Sequence, residues 1–294
     1  MANKTKKSKR KPFRFSRKVF AYPYVLFLML FVVLPLVILL VNAFLVDGNI
    51  NWENLGEDAT LGETIAFIAS ELEFTFDNFV NFFTGPQNLS VLFNSLLIGF
   101  VVTLLCLIIG YPVAYFLSKK RSGALLTLLF VLPMWINFLV RTLATKSLLE
   151  TIGIELGLGT LIIGLVYNFL PFMIMPLSTT LSGIDKSYIE AAQDLGADNF
   201  TVFTKTVIPL SLPGVISGVT MVFIPTISTF AISQYLSGSA TIVLFGDAIY
   251  TYINTVNGYG VASVMSLVML AFVLISNFFM NKFNATQTEA KSLW

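Results

Sequence analysis

The chain has 294 residues, of which 56% are hydrophobic and only 12% charged, with a net charge of +2; its mean hydropathy is +0.81, whereas a soluble domain carries about 25% charged residues. The apolar residues lie in blocks of membrane-spanning length, which excludes an ordinary water-soluble fold. With no histidine and a single cysteine, an internal disulfide is impossible and a His/Cys metal site lacks ligands.

In chain order, the first 19 residues form a basic tail, with nine of the eighteen Lys/Arg falling within the first eighteen positions. A first apolar run, Phe20 to Val46, is too long for a cleaved signal peptide and reads as a retained anchor. Residues 47–88 follow, with eight acids (Asp47, Glu53, Glu57, Asp58, Glu63, Glu71, Glu73 and Asp77) and no base. This is either a solvated cap over the first two spans or an anionic surface that docks a partner or gathers cations.

A second span, Leu89 to Leu117, contains Cys106, which reads as a small buried hydrophobe. Lys119, Lys120 and Arg121 then precede a third span, Gly123 to Leu143, and a fourth, Leu158 to Leu181. A polar loop over 182–206 leads to a fifth span, Val207 to Leu236. The short apolar patch Thr241 to Ile253 carries Asp247 and reads as interfacial or re-entrant. The sixth span, Tyr259 to Phe279, closes a membrane domain over 20–281, and 282–294 form a tail. The class is therefore all-α, a polytopic protein with six transmembrane helices. Placing both termini in the cytoplasm puts sixteen of the eighteen basic residues there, as the positive-inside rule requires. Only Arg141 and Lys146 fall outside, and the loop over 182–206 is cytoplasmic.

The spans carry no ionisable residue at their centres, as a proton-driven pump would require. No G-x-x-x-x-G-K-[ST] phosphate loop occurs, so driven transport needs energy from another chain. Without histidine or clustered intramembrane acids, the usual nucleophile, base and metal constellations have no residues to draw on, and the chain is read as a non-enzyme.

The loop "SGIDKSYIEAAQDLGADNFTVFTKTVIPLSLPG" reads as two short helices joined by an elbow. Asp185 is a candidate N-cap, Ser187 with Glu190 a candidate capping box, and Asp198 or Asn199 the cap of the second helix. Gly196 suits the left-handed residue that ends the first. Ala191 and Ala192 leave a bare surface that another chain can approach. Pro209 and Pro213 suit the entry of the next span.

Glu190-Ala191-Ala192, three residues, Gly196, then Ile208-Pro209 resembles the E-A-A-x-x-x-G…I-x-L-P signature of bacterial ABC importer permeases, with Thr206 standing where that family usually has Ile and Ile208 where it has Leu. The segments Gly110 to Lys120, Leu132 to Ala144, Ile162 to Leu177 and Glu190 to Ala197 together resemble the spermidine/putrescine permeases. The resemblance implies a type I importer (MetI-like) permease fold in the bacterial cytoplasmic membrane, paired with a second, homologous permease subunit. Two ATP-binding subunits and an extracytoplasmic polyamine-binding protein complete the complex. ATP and Mg sit on the ATPase, and this chain holds no cofactor and no metal. Glu190, Ala191, Ala192, Asp194 and Gly196 are the residues expected to couple to the ATPase.

A polyamine favours carboxylates and aromatic faces, which makes Trp135, Asn137, Tyr167, Tyr235 and Asp247 the candidates for the substrate pathway. Each has a structural alternative: Trp and Tyr mark membrane interfaces, and Asn137 can bond between helices. An importer of another small solute, or an ATP-independent channel or secondary transporter, stays open beside the polyamine reading.

Overall fold

The computed structural model describes residues 21–46, 60, 62–64, 73–120, 123–238, 242–255 and 258–292. The basic tail and most of the acidic segment, including Asp47, Glu53, Glu57, Asp58 and Glu71, lie outside the described residues. Among the described residues the architecture is helical, with one isolated bridge between Leu45 and Phe74.

Helix α1 (Tyr22–Phe44) is apolar over most of its length and is not buried within the chain except at Ala43, near its end. That is the surface expected of a helix facing lipid or another protein. It packs along the last long helix, α11 (Tyr259–Ser292), and its end is fixed by Asn78 of α2 (Asp77–Thr84). The Asn78 amide donates to Ala43 O at 3.2 Å and Leu45 O at 2.7 Å.

The centre of the molecule is a three-helix layer of α3 (Pro86–Lys119), α6 (Leu158–Ser182) and α8 (Asn199–Ser228). Val102, Cys106, Leu165, Met173, Leu177 and Val222 meet there, fully or almost fully buried. Cys106 is the small buried hydrophobe that its apolar run implied, with its thiol 3.9 Å from Val166 O. The layer closes tightly because small residues face across it. A Cβ at Gly214 would lie 2.6 Å from Thr180 Oγ1 and 3.1 Å from the Pro176 carbonyl oxygen. In lipid, where apolar side chains gain little from leaving the solvent, such close backbone approach is a main source of helix association.

Two of the expected straight spans are broken. The third runs through α4 (Gly123–Val131) into a 3-10 turn, Leu132–Trp135, and then turns by 90° into α5 (Phe138–Thr151). Pro133 has no N–H to continue the helix, Ile136 and Asn137 are extended, and the Asn137 side chain accepts from Leu139 N at 2.8 Å to start a new helix. The fifth span stops at Ser228, passes through extended Thr229, and resumes as the short α9 (Ala231–Leu236). Thr160 Oγ1 donates to Leu236 O at 2.8 Å and holds α9 against the start of α6. The patch read as interfacial is α10 (Phe245–Ile253), tied to α3 by Phe245 N donating to Ser95 Oγ at 2.7 Å and Tyr252 OH donating to Asn88 Oδ1 at 2.9 Å. Among the described residues five helices have the length and hydropathy to cross a membrane, or six when the bent pair is counted as one span.

Candidate functional site

Two places concentrate polar groups that the packing of a helix bundle does not require: the loop between α6 and α8, and the cavity where the two spans break.

The loop holds α7 (Lys186–Asp194). Asp185 caps it, accepting from Ser187 N at 2.9 Å. The Ser187 and Glu190 capping box does not form, because Asp185 takes the cap and Ser187 already lies inside the first turn. The helix ends as expected at Gly196, with φ +86°. Gly196 N donates to Gln193 O at 2.8 Å and Ala197 N to Ala192 O at 3.1 Å, the paired bonds of a Schellman ending. Asp198, rather than Asn199, caps the next turn by accepting from Thr201 N at 3.2 Å.

The hydrogen bonds to Asp185 and Asp198 hold both carboxyls below the usual carboxylate range. A lowered folded-state pKa makes the caps fully effective above the ordinary carboxylate value and lost as pH falls through the lowered one. Acidification from about pH 7 to about pH 5 therefore leaves amide protection in the loop, measured relative to the intrinsic exchange rate at each pH, unchanged. Asp198→Ala speeds exchange at Thr201 and Val202 roughly fivefold at neutral pH, as hydrogen-exchange mass spectrometry can read.

One face of α7 packs inward. Ile189, Ala192, Ala197 and Phe203 lie against the central core, so Ala192, expected on the bare surface, is a packing contact. Glu190, Ala191, Asp194 and Gly196 are exposed. Sequence reasoning missed the apolar side chains beside them: Leu195 is 89% exposed, Phe200 73% and Tyr188 57%. Three large hydrophobic groups around one short polar helix form a patch that calls for a partner surface. Below the patch the chain adopts a π turn, Phe203–Val207, which includes Thr206. Phe203 rests edge-on against Tyr111 and Tyr115 of α3, at 5.9 and 5.0 Å between ring centres, and Tyr111 OH shares a 2.8 Å hydrogen bond with Ser211 Oγ. Lys119 lies over the Tyr115 ring at 4.2 Å. These contacts tie the loop to the C-terminal end of α3 and to α8.

At the breaks, Phe138, Arg141, Asn168, Phe172 and Phe230 line a cavity of about 340 Å³. None of the five residues expected along a substrate path lines it. Trp135 is 82% exposed on the turn before the break, Asn137 serves as the helix cap, and Tyr167 is 44% exposed. Tyr235 is partly buried, and Asp247 is 9% exposed, facing Ser233 and Gln234. Phe230 connects the cavity to α10 by stacking on Tyr250, with rings 9° from parallel at 5.2 Å. Arg141, one of the two basic residues expected on the extracytoplasmic side, is 6% exposed. The signal for it was present: an arginine within an apolar run is expensive unless it faces protein or water. Among the described residues no cluster of three or more metal-ligating side chains occurs.

Residues 106–287 match a family model described as "Binding-protein-dependent transport system inner membrane component". The chain is 34% identical over 230 residues to the spermidine/putrescine transport system permease protein PotB of Haemophilus influenzae, covering 71% of this chain and 80% of that protein. It is 34% identical over 226 residues to PotB of Escherichia coli, covering 70% and 82%. A PotB homolog of Mycoplasma pneumoniae is 30% identical over 190 residues, covering 56% of this chain and 66% of that protein. Among solved structures, a chain of a bacterial alginate ABC transporter in complex with an alginate pentasaccharide-bound periplasmic protein superposes with a TM-score of 0.62 at 15% identity, covering 91% of this chain and 94% of its own. A chain of the inward-facing MetNI methionine ABC transporter gives 0.55 at 19% identity, covering 68% and 95%. These two likenesses show the fold.

Proposed function

We propose, since this chain belongs to the family of binding-protein-dependent transport system inner membrane components and is an ABC importer permease subunit of the inner membrane, that it imports polyamines of the spermidine and putrescine class. In this reading it forms half of the translocation pathway beside a second permease subunit. Two separate ATPase subunits carry ATP and Mg, and an extracytoplasmic binding protein delivers the solute. Both termini and the loop around α7 face the cytoplasm, in keeping with the distribution of Lys and Arg.

The observation that carries the coupling role is the exposed patch on the loop: Glu190, Ala191, Asp194 and Gly196 stand among exposed Tyr188, Leu195 and Phe200. A rigid short helix, capped at both ends and backed by the core through Ile189 and Ala192, transmits a push from an ATPase without bending. The polyamine assignment draws support from the PotB relatives, whose similarity covers 71% and 70% of this chain.

The test is ATP hydrolysis by the reconstituted transporter, with the binding protein supplied empty or loaded with spermidine, putrescine, sulfate or maltose. Polyamine-loaded protein should stimulate hydrolysis several-fold over the empty form, and the sulfate- and maltose-loaded samples should not. Stimulation by another solute with no polyamine response overturns the substrate class. Uptake that proceeds without an ATPase overturns the importer mechanism.

A further inference from the structure

The cavity at the two breaks contains a charge with no counter-charge among the described residues. Arg141 is 6% exposed, and its Nε and Nη1 have no hydrogen-bond partner. No described carboxylate lies within ion-pair range of it. Asn168, 2% exposed, shares the cavity wall. Its amide nitrogen donates to Gly164 O at 2.9 Å and Thr142 Oγ1 at 3.5 Å, while its Oδ1 is unpartnered.

The local fold sharpens the demand. Arg141 stands four residues after the Asn137 cap, at the end of the first turn of α5, near the positive end of the helix dipole. A guanidinium there gains nothing from the helix and cannot shed its proton. Buried charges are stable when paired and hydrogen-bonded, so the fold presents two unpartnered donors to which no described residue of this chain supplies an anion.

A polyamine cannot be that anion, because it carries the same sign of charge as Arg141. Two aromatic groups that line the cavity are open in the single chain: Phe138 at 45% and Phe230 at 41% exposure. We infer that this cavity is an interface site, filled by an acidic side chain of the second permease subunit, whose carboxylate pairs with Arg141. The same surface brings a hydroxyl, an amide N–H or a bound water to Asn168 Oδ1. This rests on the reading that two permease chains pair along the pathway. It makes the break in the third span a specificity device for subunit pairing, since a chain lacking the acid leaves Arg141 unpaired.

The experiment uses the complete transporter, with this chain tagged and the complex isolated in the absence of solute. Arg141→Gln should lower recovery of the second permease chain on the order of tenfold or more, as expected when one member of a buried charge pair is removed. The level of this chain in the membrane should stay unchanged, and Arg141→Lys should retain most of the recovery. Arg141→Glu should be rescued by reversing one intramembrane acid of the second chain to lysine. Unchanged recovery in Arg141→Gln with a raised half-saturating solute concentration places the carboxylate on the solute and overturns the inference. Unchanged recovery with unchanged uptake overturns it too, as does an equal loss of this chain from the membrane in both the Gln and Lys variants. Charge-swap rescue without a polyamine response removes the solute reading alone. A polyamine response without rescue removes only the pairing site.

Discussion

Gly196→Pro is expected to reduce ATP-driven uptake by at least about tenfold while leaving the chain inserted in the membrane at its normal level. Proline fixes φ near −65°, whereas Gly196 sits at +86°, so the elbow cannot keep its direction. The substitution also removes the N–H that donates to Gln193 O and disfavours the near-helical conformation of the preceding Leu195. The consequence is local. α7 lies outside the central three-helix layer, and the residues of the loop that pack on it, Ile189, Ala192, Ala197 and Phe203, are only partly buried, so insertion does not depend on the elbow. Loss of uptake therefore measures transmission through the loop.

A graded series separates conformation from side-chain bulk. No atom lies within 4 Å of a Cβ built at Gly196, so any cost of substitution comes from the positive φ alone. Asn, which visits that region more readily than other residues, should retain most uptake, with Ala intermediate at roughly 1 kcal/mol of local strain. Equal uptake in the Pro, Ala and Asn variants, measured in vesicles with matched protein levels, would show that elbow geometry has no part in coupling.

The second large effect is on assembly of the chain itself. Gly214→Leu places a side chain where Thr180 Oγ1 and Cβ lie 2.6 and 2.7 Å from the added Cβ, with the Pro176 carbonyl oxygen at 3.1 Å. Thr180 can rotate, but the Pro176 oxygen belongs to the backbone of α6 and can retreat only if the helices separate. Overpacking of this kind costs about 1–3 kcal/mol, occasionally more. The affected crossing joins two of the three helices that enclose Cys106, Met173 and Leu177. The expected result is a chain that melts several degrees lower in detergent and accumulates less in the membrane. Gly214→Ala should fall between the two. Unchanged melting of the Leu variant would mean that α6 and α8 do not approach as closely as the glycine requires.

The two substitutions should differ in kind. Gly196→Pro spares the amount of protein and removes its output, whereas Gly214→Leu lowers the amount and leaves the output per molecule closer to normal. The difference follows from where each glycine sits: one forms a turn at the surface, the other a contact between buried backbones.

Much of the architecture was legible because hydropathy acts locally. A run of about twenty apolar residues has one low-energy arrangement in a bilayer, a helix that satisfies its own backbone, so five helices of spanning length stand close to where the apolar blocks lie. The ends of α7 were equally legible, because Asp185, Gly196 and Asp198 act on backbone groups within three residues of themselves in sequence. The third and fifth spans were less so. Hydropathy averages across Pro133 and Asn137 without registering that a capped helix restarts there at 90°, and it does not register that Arg141, near the end of that run, is buried in a cavity beside Asn168. Exposure of Leu195 and Phe200 was hidden for a related reason: a loop helix has two sides, and only the contacts of Ile189 and Ala192 decide which one turns inward.

From its sequence alone, then, this protein is determined to be a helical membrane protein with a capped polar loop, since those properties depend on burial length and on hydrogen bonds between near neighbours. Tertiary structure alone decided that Arg141 and Asn168 share a cavity, that Ala192 packs while Leu195 stands exposed, and that Gly214 meets α6 across the layer. These are relations between segments far apart in the chain, and side-chain packing between those segments sets them.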